Sequence, residues 1–211
     1  GCVRMYSDGP TTGSAAEAGE DRSLVAKARE GDRIAFDRLV IKYRDRVVGL
    51  CARLLCSPVE GEDAAQETFL KVYRNLDRFR GDAEFFTWLY RIALNTCRNR
   101  RRSWWNRLRR IAVRLDEPIQ TENGPQPREL GDTRMIPTKD LERKRLGAAI
   151  REGLTGLAAK HRELVVLRDV QGLSYEEIER LTGLSSGTVK SRLSRAREAL
   201  SHKLKGIADE R

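Results

Sequence analysis

The sequence predicts an all-α protein with two small helical domains joined by a flexible linker, and three observations support this fold class. Apolar residues recur at three- and four-residue steps over two separate stretches, which is the spacing of one buried helix face. No stretch alternates apolar and polar residues as a strand would. Between the two stretches, at about residues 104–140, the period fades, and prolines and glycines interrupt any regular element.

The first stretch predicts an N-terminal domain of four helices at residues 23–103. Residues 1–22, before it, are rich in Gly, Ser, Thr and Ala and have no apolar period, so they predict a disordered tail. The pattern is interrupted at Pro58 and Gly61, which we expect to separate the second helix from the third. Arginines become frequent toward the end of the fourth helix, where positive charge suits the helix dipole.

The second stretch predicts a C-terminal domain at residues 141–211 that contains a helix-turn-helix. Ser174 and Glu177 have the spacing of a capping box, in which each residue satisfies a free backbone N–H at a helix start. Gly183 follows as a turn residue, and a serine at position 185 or 186 can cap the next helix. Two short helices at a steep angle are therefore expected.

The second helix of this pair has the composition of a DNA-reading helix. Val189, Leu193 and Ala196 share one face, and the other faces carry serines and four cations, without an acid between Ser186 and Arg197. Such a helix fits the major groove, where Arg and Lys read guanine edges. The alternative is a solvated basic face on an ordinary helical hairpin. The turn glycine, the caps and the single sign of charge favour DNA binding.

Composition limits the classes of function. The 211 residues carry 41 Lys and Arg against 31 Asp and Glu, a net charge of +10 that favours a polyanionic partner. No apolar run is long enough for a membrane span, and the N-terminal residues do not resemble a signal peptide, so a cytoplasmic protein without membrane insertion is expected. The cysteines form no C-x-x-C pair, and we expect reduced cysteines, three of them in the core, with no metal site.

Two motifs, in a fixed order, resemble one family. The stretch DAAQETFLKVYRNLDRFRGDAEFFTWLYRIALNTCRNRRR, residues 63–102, resembles the promoter-melting region 2 of extracytoplasmic-function (ECF) sigma factors of the sigma-E-like kind. The stretch GLSYEEIERLTGLSSGTVKSRLSRAREAL, residues 172–200, is similar to the −35-reading region 4 of the same family. The resemblance covers about residues 23–204.

The resemblance implies three sets of binding residues. It assigns core-polymerase binding to Asp63, Gln66 and Glu67, although the residues alone favour a solvated helix face. It assigns recognition of the −10 element to Arg80, Gly81, Asp82, Ala83, Glu84, Phe85, Arg91, Asn95, Arg98 and Asn99, with Asn95 at a pocket for a flipped base. It assigns −35 DNA binding to Ser186, Thr188, Lys190, Ser191, Arg192, Ser194, Arg195 and Arg197.

The function implied by the resemblance is that of an alternative sigma factor. Such a protein binds core RNA polymerase, directs initiation at promoters with particular −35 and −10 elements and helps to melt the −10 DNA; an anti-sigma protein is the further partner implied. One rival is a helix-turn-helix regulator that is not a polymerase subunit. The other is a recombinase or nuclease, but the sequence shows no catalytic constellation and implies no cofactor. Trp104 and Trp105 fit a contact with polymerase, with DNA or with the domain edge equally well.

Overall fold

The computed structural model describes the backbone at residues 15–81, 83–114, 147–148 and 150–209, and the side chains at residues 18–81, 83–107, 147–148 and 150–202. Every regular element within these ranges is helical, which confirms the all-α prediction. The N-terminal domain contains α1 Ala15–Arg29, α2 Arg33–Leu55, α3 Pro58–Arg74, a 3₁₀ turn Leu76–Arg78 and α4 Phe85–Arg114.

The C-terminal domain is built around the helix-turn-helix. Residues 150–155 are helical, and the elements that follow are α5 Ala159–Val165, a π-helical segment Val166–Val170, α6 Tyr175–Thr182 and α7 Ser186–Asp209. The π segment closes with the backbone N–H of Gln171 donating to the carbonyl of Val166 at 2.9 Å. Its wider turn is the kind of local irregularity often found near functional residues.

The N-terminal helix begins earlier than the sequence analysis predicted. α1 starts at Ala15, so residues 15–22 are helical and not part of a disordered tail. Tertiary contacts explain this difference. Asp21 is buried, and its carboxylate accepts hydrogen bonds from the Tyr43 hydroxyl and, at 2.7 Å, from the Lys42 ammonium. The tail outside α1, residues 1–14, lies outside the described residues.

The fourth helix is also longer than predicted. It continues to Arg114, so residues 104–114 belong to α4 and not to the linker. The apolar period fades in this part because the helix has passed the core, but the sequence contains no glycine or proline between Phe85 and Arg114 that would end it. The rest of the predicted linker, residues 115–140, lies outside the described residues.

Gly61 lies inside α3, where the backbone of α3 packs directly against the backbone of α2. The interpretation of Pro58 and Gly61 as an interruption was therefore wrong in part. Ser57 caps α3, Pro58 occupies its first turn, and the helix runs through Gly61. A Cβ atom on Gly61 would lie 2.4 Å from the Cα and 2.5 Å from the backbone nitrogen of Ala52. Only glycine fits this contact without a shift of backbone.

All three predicted core cysteines are free, and two of them are buried. Cys51 on α2 and Cys97 on α4 are both buried and free, and Cys56 is free and half-buried. A hydrogen bond with Cys51, together with burial, raises the pKa of the Cys97 thiol far above its usual value. The Cys97 thiol therefore stays protonated, and Cys97 and Cys51 pack as small apolar side chains.

The two domains lie directly against one another. The guanidinium of Arg162 on α5 donates to the carbonyl of Leu54, at the end of α2, at 3.0 Å. The same guanidinium donates to the carbonyls of Leu154, Thr155 and Leu157 in its own domain. Burial lowers the pKa of Arg162, but its carbonyl partners keep the half-buried cation solvated by the protein. Arg162 therefore joins the end of α2 to the C-terminal domain.

Candidate nucleic-acid and polymerase interfaces

Helices α6 and α7 form the predicted helix-turn-helix, with the predicted capping box. The Ser174 hydroxyl accepts from the backbone N–H of Glu177 at 3.2 Å, and the Glu177 carboxylate accepts from the backbone N–H of Ser174 at 2.7 Å. Gly183 ends α6 in the left-handed region with φ 73°. Ser185 occupies the cap position of α7, and its carbonyl accepts from the backbone N–H of Val189 at 2.9 Å. These bonds fix where α6 begins and where the turn between α6 and α7 lies.

Helix α7 buries one face and exposes the other to solvent. Val189, Leu193 and Ala196 are buried in the domain core, as the period predicted. The predicted −35 residues that lie on the exposed face are Lys190, Ser191, Ser194, Arg195 and Arg197, while Ser186, Thr188 and Arg192 are half-buried beside it. The exposed residues follow each other at helical steps, so that one side of the helix presents cations and hydroxyls together.

Two of these cations have partners within the domain. Both carboxylate oxygens of Asp169, on the π segment, accept from the Arg197 guanidinium, and the Nε–Oδ2 distance is 3.0 Å. This hydrogen bond raises the pKa of Arg197. The Lys190 ammonium lies 5.6 Å from the ring centre of Tyr175, a ring that also contacts Arg168 at 4.9 Å. Arg197 is thus held to its own domain, while Arg195 has no ion pair among the described residues.

The predicted −10 loop lines a cavity of about 140 Å³ in the N-terminal domain. Among the loop residues, Gly81, Ala83, Glu84 and Phe85 line it, whereas Asp82 lies outside the described residues. The remaining walls are Ala18, Asp21, Arg22, Tyr43, Arg46, Phe79 and Phe86, which come mostly from α1 and α2. The sequence analysis missed these walls because no local pattern indicates which distant residues face a loop.

Aromatic side chains pack against one another next to this loop. The ring centres of Phe79 and Trp88 are 5.2 Å apart, and those of Phe85 and Trp88 are 6.1 Å apart. Trp88 is half-buried and packs against the core. Tyr90 is buried as well, and its ring packs at a tilt against that of Phe86, with the ring centres 4.1 Å apart. Because Trp88 and Tyr90 are packed in this way, neither offers a free ring face on which a base could stack.

The predicted −10 residues of α4 lie at the boundary between the domains. Arg91, Asn95 and Arg98 follow each other at steps of four and three, so they share one helix face. The Arg98 guanidinium donates to both carboxylate oxygens of Glu163 on α5, at 3.1 and 2.5 Å. Its third nitrogen lies 3.4 Å from the Asn95 side-chain oxygen. Asn95 is exposed but is not among the residues that line the cavity.

Two further hydrogen bonds cross the same boundary. Arg91 donates from its guanidinium to the carbonyl of Arg180, on α6, at 2.9 Å. The Tyr90 hydroxyl donates to the side-chain oxygen of Gln171 at 2.8 Å. The bond to Glu163 raises the pKa of Arg98, and burial raises the pKa of Tyr90. Arg80 and Asn99, the other two predicted −10 residues, are exposed.

The predicted polymerase-binding residues of α3 divide into two groups. Glu67 accepts from Arg100 on α4 at 2.9 Å and from Lys71 at 2.6 Å, and Asp63 lies 3.8 Å from Arg100. Although burial acts to raise the pKa of Glu67, the hydrogen bonds from Lys71 and Arg100 lower it. Gln66, in contrast, is exposed. The acids therefore tie α3 to α4, and Gln66 faces solvent.

Three exposed apolar side chains share the face of Gln66. Val59, Leu70 and Tyr73 are 72%, 55% and 51% exposed. Together with Asp63 and Gln66 they follow each other at steps of four and three along α3, which makes one continuous stripe. Large apolar side chains aligned on one exposed helix face are typical of a protein-binding surface. The sequence analysis did not assign Val59, Leu70 or Tyr73, although their helical spacing with Gln66 was a visible signal.

Trp104 and Trp105 lie exposed on the part of α4 that extends past the core. Their ring centres are 5.2 Å apart, and the rings are nearly perpendicular. Arg102 and Arg107 are exposed near them. Both rings are therefore accessible to solvent on this extension of α4.

The described residues contain no group of three or more His, Cys, Asp or Glu placed to hold a metal ion. None of their helices is both long enough and apolar enough to cross a membrane. A capped helix-turn-helix with a basic exposed face, next to a second basic helix and a loop cavity, defines a sequence-specific DNA-binding protein of two domains.

Comparison with known proteins identifies the class more narrowly. The family model "Sigma-70 region 2" matches residues 39–114, and "Sigma-70, region 4" matches residues 147–200. The chain is 36% identical to the RNA polymerase sigma-H factor of Pseudomonas aeruginosa over 90% of this chain and 97% of that protein. It is 37% identical to the ECF RNA polymerase sigma-E factor of Salmonella typhimurium over 89% of this chain and 95% of that protein.

A solved structure has the same arrangement of helices. It is the sigma factor RpoE in complex with the anti-sigma factor NepR from Bartonella quintana, 25% identical, with a TM-score of 0.56 over 81% of this chain and 96% of that one. The chain belongs to the extracytoplasmic-function sigma factors of RNA polymerase. It is therefore a transcription initiation factor that directs promoter-specific transcription and not an independent regulator.

Proposed function

We propose that this sigma factor binds core polymerase, the −10 element and the −35 element through three separate surfaces. The exposed stripe of α3 binds core polymerase, the 80–85 loop with α4 reads and helps to open the −10 element, and the exposed face of α7 reads the −35 element. The observation that carries this proposal is the capped helix-turn-helix, which presents Lys190, Ser194 and Arg195 together on one solvent-exposed face.

Run-off transcription with purified core polymerase and a library of genomic fragments tests the proposal. We expect discrete transcript starts only when this chain is added, and shared sequence motifs near positions −35 and −10 of those starts. Specific binding of free duplex DNA without binding of core polymerase, and without new starts, would contradict the proposal.

Arg195 is proposed to read a base of the −35 element. It is exposed and has no ion pair among the described residues, so its fork of donors is available for a guanine edge. We expect Arg195→Ala to relax discrimination at one −35 position by about 1–3 kcal/mol. The measurement is transcription from a promoter library randomised at −35. Arg180→Ala, which removes an exposed arginine from α6, is the matched control and should keep the wild-type preference.

Asn95 is proposed to read a base of the −10 element. Its amide is exposed on α4, beside Arg98, and an amide can pair with a base edge. We expect Asn95→Ala to relax the choice of base at one −10 position in a randomised library. Asn106→Ala is the control, because Asn106 is an exposed amide on the same helix, three turns further along. Wild-type discrimination in the Asn95 variant would remove this assignment.

We also propose that an anti-sigma protein regulates this chain. The support is the likeness in fold to RpoE, which was solved as a complex with an anti-sigma factor, over most of both chains. A protein that co-purifies with this chain should, when purified itself, displace the chain from core polymerase and abolish run-off transcription. A co-purified protein that leaves both unchanged would not be the regulator.

A further inference from the structure

The ring of Tyr175, at the start of helix α6, contacts two cations. The guanidinium carbon of Arg168, on the π segment, is 4.9 Å from the ring centre, and the Lys190 ammonium of α7 is 5.6 Å from it. Both distances are within the range in which a cation is attracted to the face of an aromatic ring. Tyr175 therefore contacts the proposed DNA-reading helix although it belongs to the other helix of the pair.

The ring of Tyr175 is itself held in place. Ser174, the residue before it, is the N-cap of α6, and its capping box fixes the backbone at the first turn. The Tyr175 side chain is half-buried and packs against the domain core. Its other partner, Arg168, donates from its guanidinium to the carbonyl of Leu173 at 2.6 Å. The ring is thus a fixed surface, whereas Lys190 is exposed and has a flexible side chain.

A lysine gains more from such a surface than an arginine would. Its ammonium is a point charge on a flexible stem of four carbons, whereas the arginine fork is planar and ordered in advance. Contact with a fixed ring restricts the Lys190 ammonium before DNA binds, so that less side-chain entropy is lost on binding. An ammonium has three N–H donors, and it can therefore lie over the ring and still donate to a base.

We propose that Tyr175 is a positioning residue for recognition of the −35 element, because its ring holds the Lys190 ammonium where Lys190 reads a base. The inference rests on the proposed −35 role of α7. Tyr175 then contributes to base preference as well as to affinity, since it acts through a residue that contacts a base edge. In this way the first helix of the helix-turn-helix influences the base choice of the second.

Two substitutions separate the ring from the volume that it fills. Tyr175→Phe keeps the ring, and Tyr175→Leu keeps an apolar side chain at this half-buried position but has no ring face. The measurement is run-off transcription by core polymerase and this chain from a promoter library randomised at −35. We expect Tyr175→Leu to lower the preference at the position that Lys190 reads by about two- to fivefold, and Tyr175→Phe to keep it.

A double substitution shows whether Tyr175 acts through Lys190. Lys190→Ala should lower the preference at the same −35 position, and Tyr175→Leu added to it should lower that preference no further. Leu184→Ala is the matched control for a packing role, since Leu184 is a half-buried apolar residue in the turn of the same helix-turn-helix. We expect Leu184→Ala to lower the melting temperature and to leave the base preference unchanged.

Three results would overturn the positioning role. In the first, Tyr175→Leu keeps the wild-type preference at every −35 position, or weakens transcription equally from all library members, as loss of a phosphate contact would. In the second, Tyr175→Phe loses as much preference as Tyr175→Leu, which would assign the effect to the hydroxyl. In the third, Tyr175→Leu lowers the preference as much in the Lys190→Ala background as in the wild type.

The Lys190→Ala variant separates this inference from the proposed function. If Lys190→Ala changes the preference at no −35 position, the proposed reading role of Lys190 is contradicted, and the positioning role fails with it. If Lys190→Ala changes one position and Tyr175→Leu changes none, the proposed function stands and the positioning role alone is removed.

Discussion

Substitution of Gly61 by alanine should destabilise the N-terminal domain severely. The added Cβ would lie 2.4 Å from the Cα of Ala52, closer than any real contact, and the opposing atoms are backbone. Helices α2 and α3 must therefore move apart, and overpacking of this kind costs about 1–3 kcal/mol. That cost lowers the melting temperature by roughly 4–8 °C for each kcal/mol in a domain of this size.

Gly187→Ala is the matched control for Gly61→Ala. Gly187 lies in the first turn of α7, and no heavy atom comes within 4 Å of the Cβ that alanine would add there. The same chemical change should then be neutral or stabilising, by up to about 1 kcal/mol, because alanine restricts the unfolded chain. Thermal melts followed by circular dichroism measure both variants. Equal melting temperatures for the two would contradict the close approach of α2 and α3.

Substitution of Leu70 by glutamate should abolish stable binding of core polymerase. Leu70 lies in the middle of the exposed stripe of α3, between Gln66 and Tyr73. A charge introduced at the centre of an apolar contact removes buried apolar area and is itself desolvated. The few residues that dominate an interface contribute 2 kcal/mol or more each, which is about thirtyfold in affinity. We expect at least that loss in a surface-based binding assay with immobilised core polymerase.

Ile41→Glu is the control for this prediction. Ile41 is 77% exposed on α2, so the control introduces the same charge at an exposed apolar position outside the α3 stripe. Both variants should keep the wild-type melting temperature, because neither side chain is buried. Equal polymerase affinity in wild type and Leu70→Glu would show that the α3 stripe is not the binding surface.

The parts of the fold that follow local rules could be predicted from the sequence. The capping box of Ser174 and Glu177 and the left-handed Gly183 depend only on residues a few positions apart. The division of α7 into a buried and an exposed face follows from the helical period alone. These features were therefore found in the structure where the sequence had placed them.

The parts that depend on distant contacts could not be predicted. The start of α1 depends on Asp21, whose carboxylate is stabilised by Lys42 and Tyr43 on the next helix. The ion pairs of Glu67 with Arg100 and of Arg197 with Asp169 join residues 33 and 28 positions apart. A helical period shows which residues face away from the core, but it does not show which distant side chains those residues contact. For this reason the sequence analysis assigned Glu67 only to polymerase binding and Arg197 only to DNA binding.

The edge-to-face pair of Trp104 and Trp105 gives the extension of α4 an optical signal of its own. Two indole rings whose centres are 5.2 Å apart couple their electronic transitions, and the coupling depends on the angle between them, which here is 77°. Unwinding of this segment would separate the rings and remove the paired signal in near-ultraviolet circular dichroism. Trp88, half-buried beneath the −10 loop, emits from a different environment. The chain therefore carries two unlabelled optical reporters, one for the extension of α4 and one for the loop.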